Sequence, residues 1–185
     1  MDIASLKEAI ATTRRVLAAT SKDQLDLATP CASWKVSDLI DHIVGGHYFF
    51  AAGVNGTPPT DGGGGFAGGD FLSAFDEASA VSVAAFSGEG VMEKILTLPF
   101  GQFPGSAFIS LATTDVLTHG WDLARATGQS TDLAPELSEK MHAVAKMAIQ
   151  DAFRGPEGAP FGVEQVAPAG SSNADRLAAL LGRVV

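Results

Sequence analysis

The sequence predicts an all-α fold, a helical bundle, and three observations support it. Apolar residues recur at three- and four-residue spacing over several long segments, the pattern of amphipathic helices. Only one short stretch, around 94–105, is β-prone, and prolines and glycines interrupt it. The chain has 185 residues, 46% of them hydrophobic and 18% charged, a length and balance that fit one folded domain.

The helices can be placed in order from these patterns. Apolar periodicity predicts helices at about 2–20, 34–54, 70–87, 104–128 and 134–153. The fourth begins at Pro104, a residue favoured at helix starts, and ends at Gly128, a residue favoured at helix ends. The Gly- and Pro-rich segment 55–70 predicts a surface loop. The bundle therefore spans about 2–153 of a single domain, followed by an irregular or extended tail, 154–185, that closes with a short helix from Asn173.

Charge and composition restrict the partners. The formal net charge is −9 and the longest basic cluster is Arg14-Arg15, which argues against nucleic acids and anionic membranes. The N-terminus lacks the features of an export signal, and no apolar run is long enough to span a bilayer. We expect a cytoplasmic protein that binds a small-molecule substrate. Apolar faces on the first or fifth helix could support a homodimer.

Polar groups interrupt the apolar face of the fourth helix. In "TTDVLTHGWDLARATG", residues 113–128, Asp115, His119 and Asp122 share one stripe with Phe108. A buried carboxylate must be near water, paired with a cation or bound to a metal. Asp115 and His119, at i and i+4, point at the same spot. Alone, this pair indicates a hydrogen bond between the two side chains more readily than a metal site.

The second helix adds another candidate ligand. His42 is followed one turn later by Gly45 and Gly46, and two glycines within a helix indicate close approach of another backbone or a ligand. If the two helices are neighbours, His42, Asp115 and His119 supply two imidazoles and one carboxylate to a divalent metal, with positions left open. Histidine and carboxylate ligands of this kind accept Zn, Ni, Co, Fe or Mn. The alternative is a buried hydrogen-bond network without metal.

Three more residues, Asp122, Arg125 and Asp38, could support such a site from its periphery. Asp122 could orient a ligand histidine, or it could pair with Arg125 at i, i+3. Asp38 lies one turn before His42, and the same two interpretations are open for it.

The remaining candidates have structural interpretations. His47 lies about 140° around the helix from His42, which predicts a position on the surface or behind the site. His142 is predicted to face solvent. Cys31 has no visible basic neighbour that would lower its pKa, and we therefore predict that it is a buried structural thiol. Trp34 and Trp121 are predicted to be packing anchors.

Several segments together resemble a known family. "TPCASWKVSDLIDHIVGGHYFFA", "LPFGQFPG" and "TTDVLTHGWDLARATGQ" are similar to the DinB-like superfamily of metal-binding proteins, and within it to the N-terminal domain of mycothiol-dependent maleylpyruvate isomerase. The resemblance implies an up-and-down four-helix bundle with one metal, usually zinc, held by His42, Asp115 and His119. It also implies a low-molecular-weight thiol such as mycothiol. The isomerase pattern has a Glu where this chain has Asp115.

Three functions are consistent with these residues. The leading hypothesis is a thiol-dependent transferase or isomerase in which the metal favours deprotonation of a thiol and so activates a thiolate. A metal-dependent hydrolase of a small substrate is the second, with Asp38 or Asp122 as the visible general bases. The third is a non-catalytic metal- or ligand-binding protein, for which His142, Asp38 or Asp122 would close the metal's coordination shell. We expect no isomerase-type C-terminal domain, and hence not maleylpyruvate isomerisation itself.

Overall fold

The protein is mostly helical, with one small sheet. A computed structural model describes residues 1–156, 159 and 161–185. The described residues form six α-helices, α1 (Ile3–Ala18), α2 (Val36–Asn55), α3 (Phe71–Phe86), α4 (Gly105–Thr127), α5 (Pro135–Ala148) and α6 (Asn173–Leu180), and two strands, β1 (Ile95–Leu98) and β2 (Gly101–Pro104). Residues 157, 158 and 160 of the predicted tail lie outside the described residues.

Local signals set the helix ends. The Asp2 carboxylate accepts a hydrogen bond from the Ser5 amide at the start of α1, which satisfies one of the free N–H groups there. Gly56 and Gly128 end α2 and α4 with φ of 67° and 73°, in the left-handed region that favours glycine. The predicted stop at Gly128 is confirmed. Helix α5 ends at Ala148, earlier than predicted, and a 3-10 turn, Asp151–Phe153, follows.

The hairpin corrects the all-α prediction. Strands β1 and β2 pair antiparallel, with Ile95 opposite Pro104 and Leu98 opposite Gly101. Pro99 lies in the two-residue turn between the strands, where its missing N–H costs no ladder bond. Leu96 and Leu98 are buried in the core beneath the sheet. The prolines and glycines therefore delimit two strands where the sequence suggested only an interrupted run.

Helices α1 to α4 surround the main core. Helix α1 packs against α3 and α4, and α2 also packs against α3 and α4, while α6 lies against α5 and α4. Helices α2 and α4 are thus neighbours, as the candidate site requires. The up-and-down order of a four-helix bundle and the single domain stay predictions. No described helix has the length and apolar character needed to cross a membrane.

Candidate metal site

Three side chains from α2 and α4 converge at the interface of these helices. His42 Nε2 and His119 Nε2 each lie 3.6 Å from Asp115 Oδ1. One ligand atom from each residue fits within a group whose members are all within 4.8 Å of one another. The imidazole centroids are 4.5 Å apart. The tertiary structure therefore brings together the three residues that the sequence proposed as ligands, in an arrangement that could hold one ion.

His42 leaves a polar atom without a partner. Its Nε2 is buried and makes no hydrogen bond, since the 3.6 Å to Asp115 is too long for one. A buried polar atom left unpaired costs free energy, and metal coordination would supply the missing partner. The side chain as a whole is 37% exposed, so the site can be reached from solvent. The donor set, two imidazoles and a carboxylate, fits a divalent transition metal.

The charges at this site favour an ionised carboxylate. Burial alone would raise the pKa of Asp115, but the adjacent His119 and His42 outweigh it and lower the pKa overall. Burial likewise opposes protonation of His42, but the neighbouring Asp115 carboxylate outweighs it and raises the pKa of the imidazole. Asp115 therefore presents a negative charge to whatever binds between the two histidines.

The glycine pair makes room for this arrangement. A Cβ on Gly46 would lie 3.4 Å from Asp115 Oδ2, and a Cβ on Gly45 would lie 3.0 Å from the Asp61 carbonyl oxygen. The prediction of close approach is confirmed: the site carboxylate lies against one glycine, and the backbone of the glycine-rich loop lies against the other.

Asp122 lies directly behind His119 and is fully buried. Its Oδ2 is 3.0 Å from His119 Nδ1, on the opposite edge of the ring from Asp115. Arg183 donates to both of its oxygens, from Nη2 at 2.9 Å and from Nε at 3.1 Å. Burial opposes ionisation, but the hydrogen bond from His119 and the charge of Arg183 lower the pKa of Asp122 to about 2. The proposed pairing with Arg125 is wrong, because Arg125 is exposed.

Sequence reasoning missed Arg183. It follows α6 in the apolar stretch "LAALLGRVV" near the C-terminus, and an isolated cation among apolar residues was the only local signal. Its pairing with Asp122 spans 61 residues and depends on how α6 docks beside α4.

Cys31 and Trp34, for which the sequence predicted structural roles, both lie beside the candidate site. The half-buried Cys31 thiol donates to Asp122 Oδ2 at 3.2 Å, and its Sγ lies 3.8 Å from Arg183 Nη2, so it does have a basic neighbour. Burial and the negative charge of Asp122 raise the pKa of Cys31 to about 12. The Trp34 ring is 4.7 Å from the His42 ring and 5.9 Å from the His119 ring, and therefore covers one side of the site.

Other candidates lie elsewhere. Asp38 is exposed and accepts a hydrogen bond from the Lys35 amide at 2.9 Å, so it caps α2 and does not support the site. His47 is buried and its Nδ1 lies 2.8 Å from Ser82 Oγ, which excludes the surface position. The predicted solvent-facing position of His142 is only partly met, because the residue is half-buried on α5.

A cavity of about 280 Å³ lies between the end of α2 and the hairpin. Phe49 and Gly53 line it, and they share a face of α2 with His42, starting about 10 Å further along the helix axis. None of the three candidate ligands lines this cavity. The cavity therefore lies apart from the candidate ligands.

Comparison with known proteins finds one matching family model and two similar sequences. The family model for the mycothiol maleylpyruvate isomerase N-terminal domain matches residues 6–124, a span that includes the three candidate ligands and ends before Arg183. Two uncharacterized Mycobacterium tuberculosis proteins, MT0763 of strain CDC 1551 / Oshkosh and Rv0738 of strain H37Rv, are each 45% identical over 174 residues, covering 92% of this chain and 91% of theirs.

Two crystal structures are also similar: the mycothiol-dependent maleylpyruvate isomerase, at 14% identity and a TM-score of 0.56, and a histidine-to-alanine mutant of that enzyme, at 13% and 0.57. The match covers 76% of this chain, which spans 66% of the length of each solved chain. At this identity the likeness shows a shared fold.

Proposed function

The chain belongs to the mycothiol maleylpyruvate isomerase N-terminal domain family, and on that premise we propose that His42, Asp115 and His119 bind one divalent metal ion and make the protein a thiol-dependent transferase or isomerase. Zinc is the metal we propose, and a low-molecular-weight thiol such as mycothiol is the cofactor. One observation supports this above all others: three ligand-type side chains converge from two helices, and the buried Nε2 of His42 has no other partner.

The charge of the donor set suits a thiolate. A divalent ion held by two neutral imidazoles and one carboxylate would keep a net charge of +1, and so would favour the deprotonated form of a bound thiol whose ordinary pKa is about 8.5. Asp115 supplies the single negative charge. Asp122 accepts a hydrogen bond from Nδ1 of His119, which fixes the ring and leaves Nε2 free to coordinate.

The proposed entry route for thiol and substrate lies beside His42, and Trp34 packs against the two histidine rings. The His42 side chain is 37% exposed, and we propose that thiol and substrate enter there. The Trp34 ring packs against both imidazoles, and we propose that it shields that side of the site from water. A small electrophilic substrate, attacked by the thiolate sulfur, would enter by the same route.

The alternatives have less support. A hydrolase needs an accessible base beside the ion, but Asp38 is tied to the start of α2, and Asp122 is buried in an ion pair with Arg183. A non-catalytic protein would close the metal's coordination shell with a fourth ligand. Among the described residues, none of the proposed fourth ligands, His142, Asp38 or Asp122, joins the group at Asp115.

Calorimetry tests the thiol function directly. Zinc-loaded wild-type protein is titrated with mycothiol beside metal-free protein and a His119→Ala variant. We expect saturable binding to the loaded wild type alone, with release of about one proton per thiol bound. Equal binding to the metal-free protein, or no binding to the zinc-loaded protein, would overturn the proposed function. A His142→Ala variant controls for loss of a histidine outside the site.

A further inference from the structure

His119 belongs to two possible metal-binding groups. Its Nε2 faces Asp115 and His42, and its Nδ1 faces Asp122, with Cys31 Sγ at 3.9 Å. Both groups, His42 with Asp115 and His119, and Cys31 with His119 and Asp122, place one ligand atom per residue within 4.8 Å of the others. The second group contains a sulfur ligand, and soft thiolates bind zinc and cobalt well. Because both groups share His119, a structural feature must determine which of the two groups binds the metal.

In the second group, the Arg183 guanidinium lies where a metal ion would bind. Its guanidinium donates to both oxygens of Asp122, at 2.9 and 3.1 Å, and the same Nη2 lies 3.8 Å from Cys31 Sγ. Asp122 is completely buried, and the Arg183 side chain is only 16% exposed. Such a forked arginine–carboxylate pair is strongly oriented. A metal ion bound by Asp122 and Cys31 would have to displace this positive group.

We infer that Arg183 is a positioning residue that selects the metal site: by occupying Asp122, it excludes metal from the group formed by Cys31, His119 and Asp122, and directs it to the group formed by His42, Asp115 and His119. The same contact holds Asp122 against Nδ1 of His119, so Nε2 is the nitrogen left for coordination. This inference rests on the proposed function. Arg183 lies beyond the span matched by the family model, so a residue near the C-terminus completes a site within that span.

Cobalt absorption distinguishes the two groups, because a thiolate bound to Co²⁺ gives a ligand-to-metal charge-transfer band that imidazole and carboxylate ligands lack. Purified wild-type, Arg183→Gln and Arg183→Gln/Cys31→Ser proteins are titrated with Co²⁺ alone. We expect no thiolate band in the wild type, a clear band in the single variant, and none in the double variant. We also expect at least tenfold weaker cobalt binding at the original site once Asp122 is released.

Arg154→Gln is the matched control. Arg154 also fixes the C-terminal segment, donating to the Leu180 carbonyl at 2.6 Å, but it has no hydrogen bond or ion pair with Asp122 among the described residues. Its loss should leave the cobalt spectrum unchanged. If Arg183→Gln does not fold, Arg183→Leu replaces it, because leucine keeps apolar bulk but carries neither the charge nor the N–H donors, and the same band is expected.

The outcomes are separable. If the wild type binds cobalt and Arg183→Gln gives the same spectrum, the selection by Arg183 is overturned and the proposed function stands. The same holds if Arg183→Gln binds cobalt more weakly but shows no thiolate band. A thiolate band in the wild type would overturn the selection as well. A wild-type protein that binds no cobalt would overturn the proposed function, and the inference with it.

Discussion

His42 Nε2 and Asp115 Oδ1 face each other across the contact between α2 and α4 at 3.6 Å, slightly too far apart to form a hydrogen bond. The two groups are on different helices, and the histidine nitrogen is buried without a partner. A charge-assisted hydrogen bond would be expected to shorten this distance to about 2.8 Å. The separation instead leaves room for an ion between them, which is why the metal proposal has its first test here.

Metal content should depend on both residues. We expect near-stoichiometric metal in wild-type protein, grown without added metal and purified without an immobilised-nickel column, and its loss in His42→Ala and Asp115→Ala. Elemental mass spectrometry measures it, and His142→Ala serves as the control. A wild type that stays empty after reconstitution with zinc, nickel and manganese would reduce the three residues to a hydrogen-bond network.

Acid should destabilise the fold through His47. Burial lowers the pKa of His47 to about 4, so the unfolded chain, with an ordinary value near 6.5, takes up the proton first as the pH falls. The stabilising contribution of neutral His47 is complete above about pH 6.5 and is lost as the pH falls towards 4. We expect the stability lost through His47 between pH 7.5 and pH 4 to be about 3 kcal/mol.

Urea unfolding from pH 7.5 to pH 4 checks this expectation in wild type and in His47→Asn. The asparagine amide can still donate to Ser82 Oγ, which itself donates to the Ser79 carbonyl, but it does not titrate. The variant should lose less stability over this range than the wild type. Parallel pH profiles for the two proteins would show that His47 is not the responsible group.

Cys31 should react slowly in the folded, metal-free protein. Burial and the adjacent Asp122 raise its pKa to about 12, so thiolate at pH 8 is rarer than in the unfolded chain by a factor on the order of a thousand. Alkylation by iodoacetamide, followed by mass spectrometry, should be at least tenfold slower in buffer than in urea. Asp122→Asn should speed the native reaction by removing the negative charge. An equal rate in buffer and in urea would contradict the described environment of Cys31.

Gly120 should resist substitution despite lying within a helix. A Cβ there would lie 2.4 Å from Thr13 Oγ1, where α4 crosses α1. Gly120→Ala should therefore destabilise the protein by about 1–3 kcal/mol, although alanine is ordinarily the better helix former. Thr13→Ala removes the facing hydroxyl and its hydrogen bond to the Val116 carbonyl.

A double-mutant cycle in urea isolates this contact. The combined Thr13→Ala/Gly120→Ala protein should lose less stability than the sum of the two single losses. The 2.4 Å overlap with the hydroxyl is then gone, and the new methyl group faces only the Cβ of residue 13, at 3.2 Å. Strict additivity would mean that the two helices shift apart to relieve the overlap, and that the close approach is not enforced by their packing.

The sequence alone determined the helices and the three candidate ligands. Apolar periodicity located α1 to α4 to within a few residues, since burial of one face imposes a repeat of 3.6 residues. The same repeat placed Asp115 and His119 on one stripe, and the glycine pair beside His42 indicated the close contact found there. These inferences succeed because each depends on neighbours within one or two helical turns.

The tertiary structure decided which groups surround those ligands. Asp122 could pair locally with Arg125, but the docking of α6 brings Arg183 to it from 61 residues away. Cys31 reaches the same carboxylate across 91 residues. A buried carboxylate takes the cation that packing places beside it, and spacing along one helix cannot reveal that cation. Helix faces follow from local sequence, whereas the ion pair behind His119 follows only from the path of the whole chain.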